Sequence, residues 1–412
     1  MFYVNPHAVR TPYPVNLQDI MSMFRAQESR DWLAHWNGLT PGNTPLRTLP
    51  DLAASLGVGS VLVKDEALRS SLGSFKALGA PIALVRLLLR KFVGQGFTAQ
   101  SLLNGEHRDA LEGFTAISAT DGNHGRALAA AAQSLGCRCV IVLHAQVSEE
   151  REQAIAAYGA EIVRIAGNYD ASVEEAAALA ARHGWYVVSD TSYHGYEVIP
   201  RDVMQGYATI AAEVDETLCG TDANAGNHDV CPVTHVFLQG GVGGLAAGVA
   251  SYLWERWGEG RPTFVVVEPE QADCLYQSAI AGQPASASGS IDSVMAGLAC
   301  GETSPLAWRF LQPSVDAFMT VTDALAVEAM QRLARGSEND VPFVAGESGA
   351  AGLAGLMQVA ATPTMAAAIG LTADSRVLLI STEGATAPSV YADLVGEPAT
   401  SVVQRQQAWM AR

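Results

Sequence analysis

FTAISATDGNHGRALAAAAQSLGCRCVIVLH, residues 114–144, decides the fold. FTAISAT (114–120) is a short apolar run of strand length. DGNHGRALAAAAQSLG (121–136) shifts to helical spacing behind two good N-cap residues. CRCVIVLH (137–144) returns to an apolar strand. Apolar strands joined by a crossover helix imply a parallel sheet covered on both faces.

The same alternation continues outward. EEREQAIAAYGA (149–160) reads as a helix, EIVRIAG (161–167) as a strand, DASVEEAAALAARHG (170–184) as a helix and WYVVSD (185–190) as a strand. Upstream, DLAASLGV (51–58) is helical, SVLVKDE (60–66) is a strand ending in charge, and FKALGAPIALVRLLLRKFV (75–93) reads as one amphipathic helix. A second series follows at 206–218, 234–240, 243–257, 263–270, 324–336, 348–360 and 376–382. The expected fold is α/β, with two open, mostly parallel twisted sheets and helices on both faces. A small domain, 83–195, is inserted in a large one formed by 1–82 and 196–412. Residues 1–50, rich in Pro, Asn and aromatics, read as an arm. The small-residue stretches 219–232 and 282–290 read as surface loops.

The 412 residues suit two domains, and 49% hydrophobic against 16% charged residues gives ample core and excludes a disordered chain. The net charge of −17, with no Lys/Arg cluster, argues against nucleic acid and anionic membranes as partners. The N-terminus has no basic region followed by an apolar run, and no apolar stretch is long enough to span a bilayer. Cys137, Cys139, Cys219, Cys231, Cys274 and Cys300 include no CxxC pair, and Cys137 and Cys139 share one face of a strand as buried thiols. These features point to a reduced, cytoplasmic protein.

Four motifs carry chemistry. Gly73-Ser74-Phe75-Lys76 sets a lysine at the start of a helix, where the dipole disfavours a cation. Neutralising it as an imine of pyridoxal phosphate is one reading, and a solvated surface lysine is the other. Thr120-Asp121-Gly122-Asn123-His124-Gly125, at a strand-to-helix turn, offers backbone N–H groups to a carboxylate, or is an ordinary Asx cap. His124 alone fits a hydrogen-bonded structural histidine as well as a site residue. Gln239-Gly240-Gly241-Val242-Gly243-Gly244-Leu245, between a strand and a helix, reads as a phosphate cradle. A dinucleotide loop is its rival, but the third glycine of GxGxxG would fall at Ala246. A packed structural turn is the third reading. Ser381-Thr382-Glu383-Gly384 follows a strand, where a hydroxyl can meet a neutral ring nitrogen. Glu347 is a further site residue or a cap of the 348–360 helix. No His/Asp cluster has metal-ligand spacing, so no metal is expected.

Together these supply a lysine, a carboxylate site, a phosphate cradle and a ring-nitrogen partner. GSFKALGA (73–80), SATDGNHGRALA (118–129), QGGVGGLAAGV (239–249) and LLISTEG (378–384) resemble the fold-type II pyridoxal-phosphate enzymes, the group of threonine and serine dehydratases and tryptophan synthase β. LVKDEALR (62–69), GNYD (167–170), SDTSYHGYEVIP (189–200), MQGYATIAAE (204–213), VVEPEQADCLYQS (266–278), MAGLACGE (295–302) and AGESGAAGL (345–353) narrow the resemblance to the diaminopropionate ammonia-lyases, over nearly the whole chain. Gly73-Ser74 before Phe75-Lys76 is closer to the generic dehydratases, and the 219–232 loop is this chain's own.

The resemblance implies that Lys76, beside Phe75, holds pyridoxal 5'-phosphate as an imine and takes the Cα proton of an L-substrate. It assigns the cofactor's ring hydroxyl to Asn123, its phosphate to Gly240, Gly241, Val242, Gly243 and Gly244, and its pyridine nitrogen to Ser381 or Thr382. Asp121 is the implied base for the D-enantiomer, and Asp190 assists at the amino side. Thr120, Gly122, His124 and Glu347 complete the implied substrate contacts. The implied reaction is α,β-elimination of 2,3-diaminopropionate to pyruvate and two ammonia, by a homodimer. Asp121 and Asp190 suit a substrate with a second ammonium, which serine and threonine lack. A serine or threonine dehydratase and a catalytically silent ligand-binding homologue are the alternatives, with a nicotinamide dehydrogenase behind them.

Overall fold

The computed structural model describes residues 1–412 except Asp121, Asn168 and 221–229. The chain forms two compact units. The larger comprises Met1–Met23, Asn43–Leu68 and Ile210–Arg412, and the smaller Phe24–Gly42 and Arg69–Thr209.

The larger unit is built on a seven-stranded sheet in the order Phe2–Val4, Ala317–Val321, Thr263–Pro269, His235–Gln239, Arg376–Ser381, Ser60–Asp65, Leu46–Thr48. The central strands run parallel, and the two outermost pair antiparallel. One face follows the strand period of two: Val61 and Val63, Val265 and Val267, Val377 and Leu379, and Ala317, Met319 and Val321 all enter one core. Helices Asp323–Arg335 and Ala351–Ala360 supply its other side, with Ala326, Ala329, Met330, Leu353, Ala354 and Leu356 buried. Each such Val or Leu contributes about 2 kcal/mol of transfer free energy.

The sequence read 1–50 as an arm, but two pieces of it are sheet edges. Phe2–Val4 pairs with Ala317–Val321, and the terminal amine donates to Thr320 Oγ1 at 2.8 Å. Leu46–Thr48 pairs with Ser60–Asp65, braced by Arg47 and Asp65 at 2.8 Å. These short strands cover what would be open edges. Buried Lys64 binds the Thr44 carbonyl at 2.8 Å and Glu213 at 2.5 Å, tying 43–68 to the helix Thr209–Cys219.

The smaller unit carries a four-stranded parallel sheet in the order Glu161–Arg164, Arg138–Leu143, Thr115–Ala119, Tyr186–Val187. Helix Tyr169–His183 sets Ala176 and Ala180 against Ile117, Ala119, Val140 and Val142. This unit is wider than the expected 83–195, because two helices pack through glycines. Gly79 faces Tyr207, where a Cβ would come within 2.5 Å of the ring, and Gly206 faces the Leu78 carbonyl, where a Cβ would be 2.1 Å away. Ala80–Lys91 and Val198–Tyr207 therefore approach backbone to backbone, bridged by Arg90 and buried Asp202 at 2.7 Å. Arg86, buried on the same helix, reaches Glu28 at 2.7 Å and brings 24–42 into this unit.

Two helix expectations change. The single helix over 75–93 is a 3₁₀ turn, Phe75–Leu78, followed by Ala80–Lys91. Pro81 has no N–H to continue the first turn and is suited to begin the second. The helix over 206–218 is two, Val198–Tyr207 and Thr209–Cys219, the first accommodating Pro200 in its opening turn, where an N–H has no intrahelical partner. Strand Ala317–Val321 and helices Cys274–Ala281, Pro305–Ser314, Pro388–Val395 and Ala399–Met410 had not been assigned. Both sheets are mostly parallel and helix-covered, in agreement with the expected α/β class. Cys137 and Cys139 are buried, and burial pushes both thiols up to about 12. No described helix is by itself long and apolar enough to cross a membrane.

Candidate active site

The smaller unit gathers the charged residues. Gly73, at φ +70°, turns the chain in a left-handed conformation that favours glycine, and extended Ser74 leads into the 3₁₀ turn that presents Lys76. Lys76 Nζ lies 2.5 Å from Asp190 Oδ2, with the two side chains 17% and 18% exposed. It also sits 5.1 Å from the Phe75 ring centroid and 5.5 Å from that of Tyr207, and the two rings meet edge-on at 4.7 Å. The sequence found a cation at a helix start electrostatically odd. The structure resolves this with a carboxylate and two aromatic faces, all favouring the ammonium.

Asp190 follows the strand Tyr186–Val187. Burial alone would raise its carboxyl, but the Lys76 ammonium, with His124 behind it, holds it well below the usual carboxylate range. His124, in the first turn of helix Asn123–Leu135, is 3% exposed. Its Nε2 lies 2.9 Å from the Val188 carbonyl, which can only accept, so Nε2 carries a proton. Its Nδ1 faces Asp190 Oδ2 at 3.8 Å. Thr120 directly follows the strand Thr115–Ala119, and the Gly122 amide donates to its hydroxyl at 3.4 Å. Gly122, the residue before this helix, has no side chain to cap it, and a helix N-terminus favours an anion. Asn123 is its first residue. Asp121, the expected second base, lies outside the described residues.

The larger unit gathers a glycine turn, a neutral hydroxyl and two buried carboxyl side chains, Glu347 and Glu383. The strand His235–Gln239 leads through Gly240 to Gly243 into helix Gly244–Trp257. Gly241 and Gly243 have φ of +58° and +101°. Gly240 has no room for a side chain, since a Cβ would come within 2.4 Å of Glu268 Cγ. The Gly240 amide is bound to the Val267 carbonyl at 2.9 Å, and the Val242 carbonyl accepts from Ser304 at 3.0 Å. The turn is thus held from behind, at the N-terminus of an uncapped helix. Gln239 donates to the carbonyls of Ile380 at 2.6 Å and Gly349 at 3.1 Å, and so aligns this loop with the two others that carry expected site residues.

Ser381 ends the strand Arg376–Ser381. Its Oγ is buried and has no hydrogen-bond partner among the described residues. A buried hydroxyl left unsatisfied asks for a partner. Thr382 beside it is 3% exposed. Glu347 is buried in the turn before Ala351–Ala360, which starts later than the sequence suggested and has Ala350 at its cap, so Glu347 is not its N-cap. Glu383 was not singled out from the sequence as a site residue. It is 3% exposed, accepts from the Ser348 amide at 3.2 Å, and its carbonyl accepts from Gly346 at 2.8 Å. Its signal was a carboxylate directly after an apolar strand. Tyr207, also missed, had no local signal, because its ring meets Lys76 only through the packing of helix Val198–Tyr207.

The residues present suit pyridoxal phosphate: an amine on a fixed turn, a glycine turn with no room for a Cβ at Gly240 or Gly243, and an orphaned neutral hydroxyl. The family of pyridoxal-phosphate dependent enzymes matches residues 39–383. The diaminopropionate ammonia-lyase of Escherichia coli (strain K12) is 39% identical over 396 residues, 92% of this chain and 93% of that protein. The holo diaminopropionate ammonia lyase structure from Escherichia coli superposes with a TM-score of 0.84 at 36% identity, covering 96% of both chains. The same enzyme in complex with an aminoacrylate–pyridoxal phosphate reaction intermediate gives a TM-score of 0.83 at 36% identity over 96% of both chains. This chain belongs to the pyridoxal-phosphate dependent enzymes and, within them, to the diaminopropionate ammonia-lyase family.

Proposed function

We propose that this chain catalyses the α,β-elimination of 2,3-diaminopropionate, of both L and D configuration, to pyruvate and two ammonia. The observation that carries the reading is the Lys76–Asp190 pair at 2.5 Å, which joins a proton-accepting amine to a carboxylate able to attract a substrate ammonium. Pyridoxal phosphate, when bound, supplies the electron sink that makes the Cα proton removable.

Lys76 holds the cofactor and takes the Cα proton of the L-substrate, with Phe75 packed beside it. Asp190 orients that amine and meets the substrate's amino groups. Asp121 takes the Cα proton of the D-substrate. The amides of the Thr120–His124 turn receive the substrate carboxylate, and Asn123 binds the cofactor's ring hydroxyl. The loop Gly240 to Gly244 holds the phosphate through the amides of Gly241, Val242 and Gly244, while those of Gly240 and Gly243 hold the turn itself through the carbonyls of Val267 and Gly240. Ser381, rather than Thr382, meets the pyridine nitrogen, because its hydroxyl is the buried one without a partner. A neutral hydroxyl there leaves the ring a weaker electron sink than a carboxylate would, which favours elimination over transamination. Buried Glu347 completes the substrate contacts. The reading places the enzyme in the cytoplasm, supported by the six cysteines standing as free thiols. It adds a homodimer on the resemblance alone.

The test is pyruvate release from D- and L-2,3-diaminopropionate and L-serine, with 2-oxobutyrate release from L-threonine alongside. The proposal expects turnover of diaminopropionate far above the hydroxy amino acids, and Asp121→Asn to cripple the D-reaction much more than the L-reaction. Preference for serine or threonine would replace it with a dehydratase.

A further inference from the structure

Asp190 stands at the end of a strand too short to hold it. Tyr186–Val187 contributes only two residues to the sheet, paired with Ala116 and Ile117. Yet four of the backbone groups leading to Asp190 are fixed. The Val188 amide donates to the Ile117 carbonyl at 2.9 Å, and the Val188 carbonyl meets His124 Nε2 at 2.9 Å. The other two bonds converge on one phenol. Tyr196 Oη accepts from the Ser189 amide at 3.0 Å and donates to the Val187 carbonyl at 2.9 Å.

That phenol is itself positioned by local structure. Gly195, at φ +82°, turns the chain so that Tyr193 and Tyr196 exchange backbone hydrogen bonds, at 2.8 Å and 3.3 Å. Their rings stack at 4.8 Å with 14° between planes. The ring is thus held by stacking and the hydroxyl by two opposed backbone groups, one accepting and one donating. Both bonds land on the residues directly before Asp190. On the far side, the Thr191 amide donates to Ser189 Oγ at 3.3 Å.

We infer that Tyr196 is a positioning residue for Asp190, its hydroxyl replacing the missing sheet ladder and fixing the carboxylate against Lys76. The inference rests on the proposed role of Asp190. Tyr196 itself touches neither Lys76 nor reacting atoms. It acts by holding Asp190 within hydrogen-bond reach of an amine, where a displacement of about 1 Å costs on the order of a hundredfold in rate.

The test is a double-mutant cycle on the full-length holoenzyme with L-2,3-diaminopropionate, using Tyr196→Phe, Asp190→Asn and the double variant. The phenylalanine keeps the stacked ring and removes only the hydroxyl. Tyr196→Phe alone is expected to lower kcat about ten- to a hundredfold, with no further loss when added to Asp190→Asn. A second readout is independent of turnover: the pH dependence of Lys76 acetylation in the full chain without cofactor, read by mass spectrometry. Tyr196→Phe is expected to shift the Lys76 titration downward, toward the Asp190→Asn value, because a loosened carboxylate stabilises the ammonium less. Wild-type kcat and Lys76 titration in Tyr196→Phe would overturn the inference. So would an equal loss in both backgrounds, which would place the effect elsewhere. If Asp190→Asn were itself silent, the role of Asp190 would fall, and the inference with it. Should Tyr196→Phe fold poorly, Ser189→Ala, which removes the Thr191 contact while leaving the phenol's bonds, is expected to give a smaller loss that also vanishes beside Asp190→Asn, and a loss that persists there counts against the inference.

Discussion

In the roles proposed above, the smaller unit works with charge, and the larger unit mainly with backbone and a neutral hydroxyl. Around Lys76, a carboxylate lies 2.5 Å from the amine, and a histidine nitrogen lies 3.8 Å from that carboxylate. Around Gly240 and Ser381 the working groups are N–H dipoles and a neutral hydroxyl. The contrast follows from what each group would do. A proton acceptor must change charge state, so its neighbours must tune that change. A phosphate holder must not change, so fixed dipoles at a helix N-terminus serve it, in a turn where Gly240 and Gly243 leave no space for a side chain.

The largest effect should come from Lys76. Lys76→Ala should lower L-substrate turnover by about four orders of magnitude and abolish the absorbance of the bound cofactor's imine. A variant that kept that absorbance would move the chemistry to another lysine. Ser381→Ala should behave differently. It removes a buried hydroxyl without a partner, so the cofactor-free protein should be as stable as wild type or slightly more stable. Cofactor affinity should fall only several-fold, for the loss of about 1 kcal/mol. Calorimetry with and without cofactor separates the two, and a destabilised cofactor-free protein would show that the hydroxyl has a protein partner.

The smallest effect concerns Glu268, directly behind Gly240. Burial pushes its carboxyl from 4.5 up to about 8, against two backbone N–H bonds, from Leu275 at 2.9 Å and Tyr276 at 2.7 Å. A carboxyl raised on folding favours its protonated form. Its contribution to stability is therefore fully present below about pH 4.5 and lost as pH rises through about 8. Glu268→Gln should flatten that part of the melting-temperature profile, and an unchanged slope would assign it to another group.

The same contrast explains what the sequence disclosed. The glycine cradle was legible because its parts are contiguous: strand, turn and helix lie within 235–257. Lys76 was legible only as an anomaly, since its partner Asp190 is 114 residues away and belongs to another strand–turn. Tyr207 and Tyr196 gave no local signal, one being a core ring and the other a loop phenol until the chain folds. Sheet class followed from apolar runs. The edge strands Phe2–Val4 and Leu46–Thr48 did not, because three residues are too few for a period to show. The width of the smaller unit turned on Gly79 and Gly206, whose meaning lies in the neighbour each admits.

The division of labour is tested most directly by titrating pyridoxal phosphate into cofactor-free Gly240→Ala and Asp190→Asn while reading pyruvate release from L-2,3-diaminopropionate. A Cβ at Gly240 would lie 2.4 Å from Glu268 and distort the cradle, at a cost of about 1–3 kcal/mol. Gly240→Ala should therefore need about ten- to a hundredfold more cofactor but approach the wild-type plateau. Asp190→Asn should saturate near the wild-type concentration with a plateau lower by about a hundredfold or more. A lowered plateau with unchanged affinity in Gly240→Ala, or lost affinity with an intact plateau in Asp190→Asn, would contradict the account.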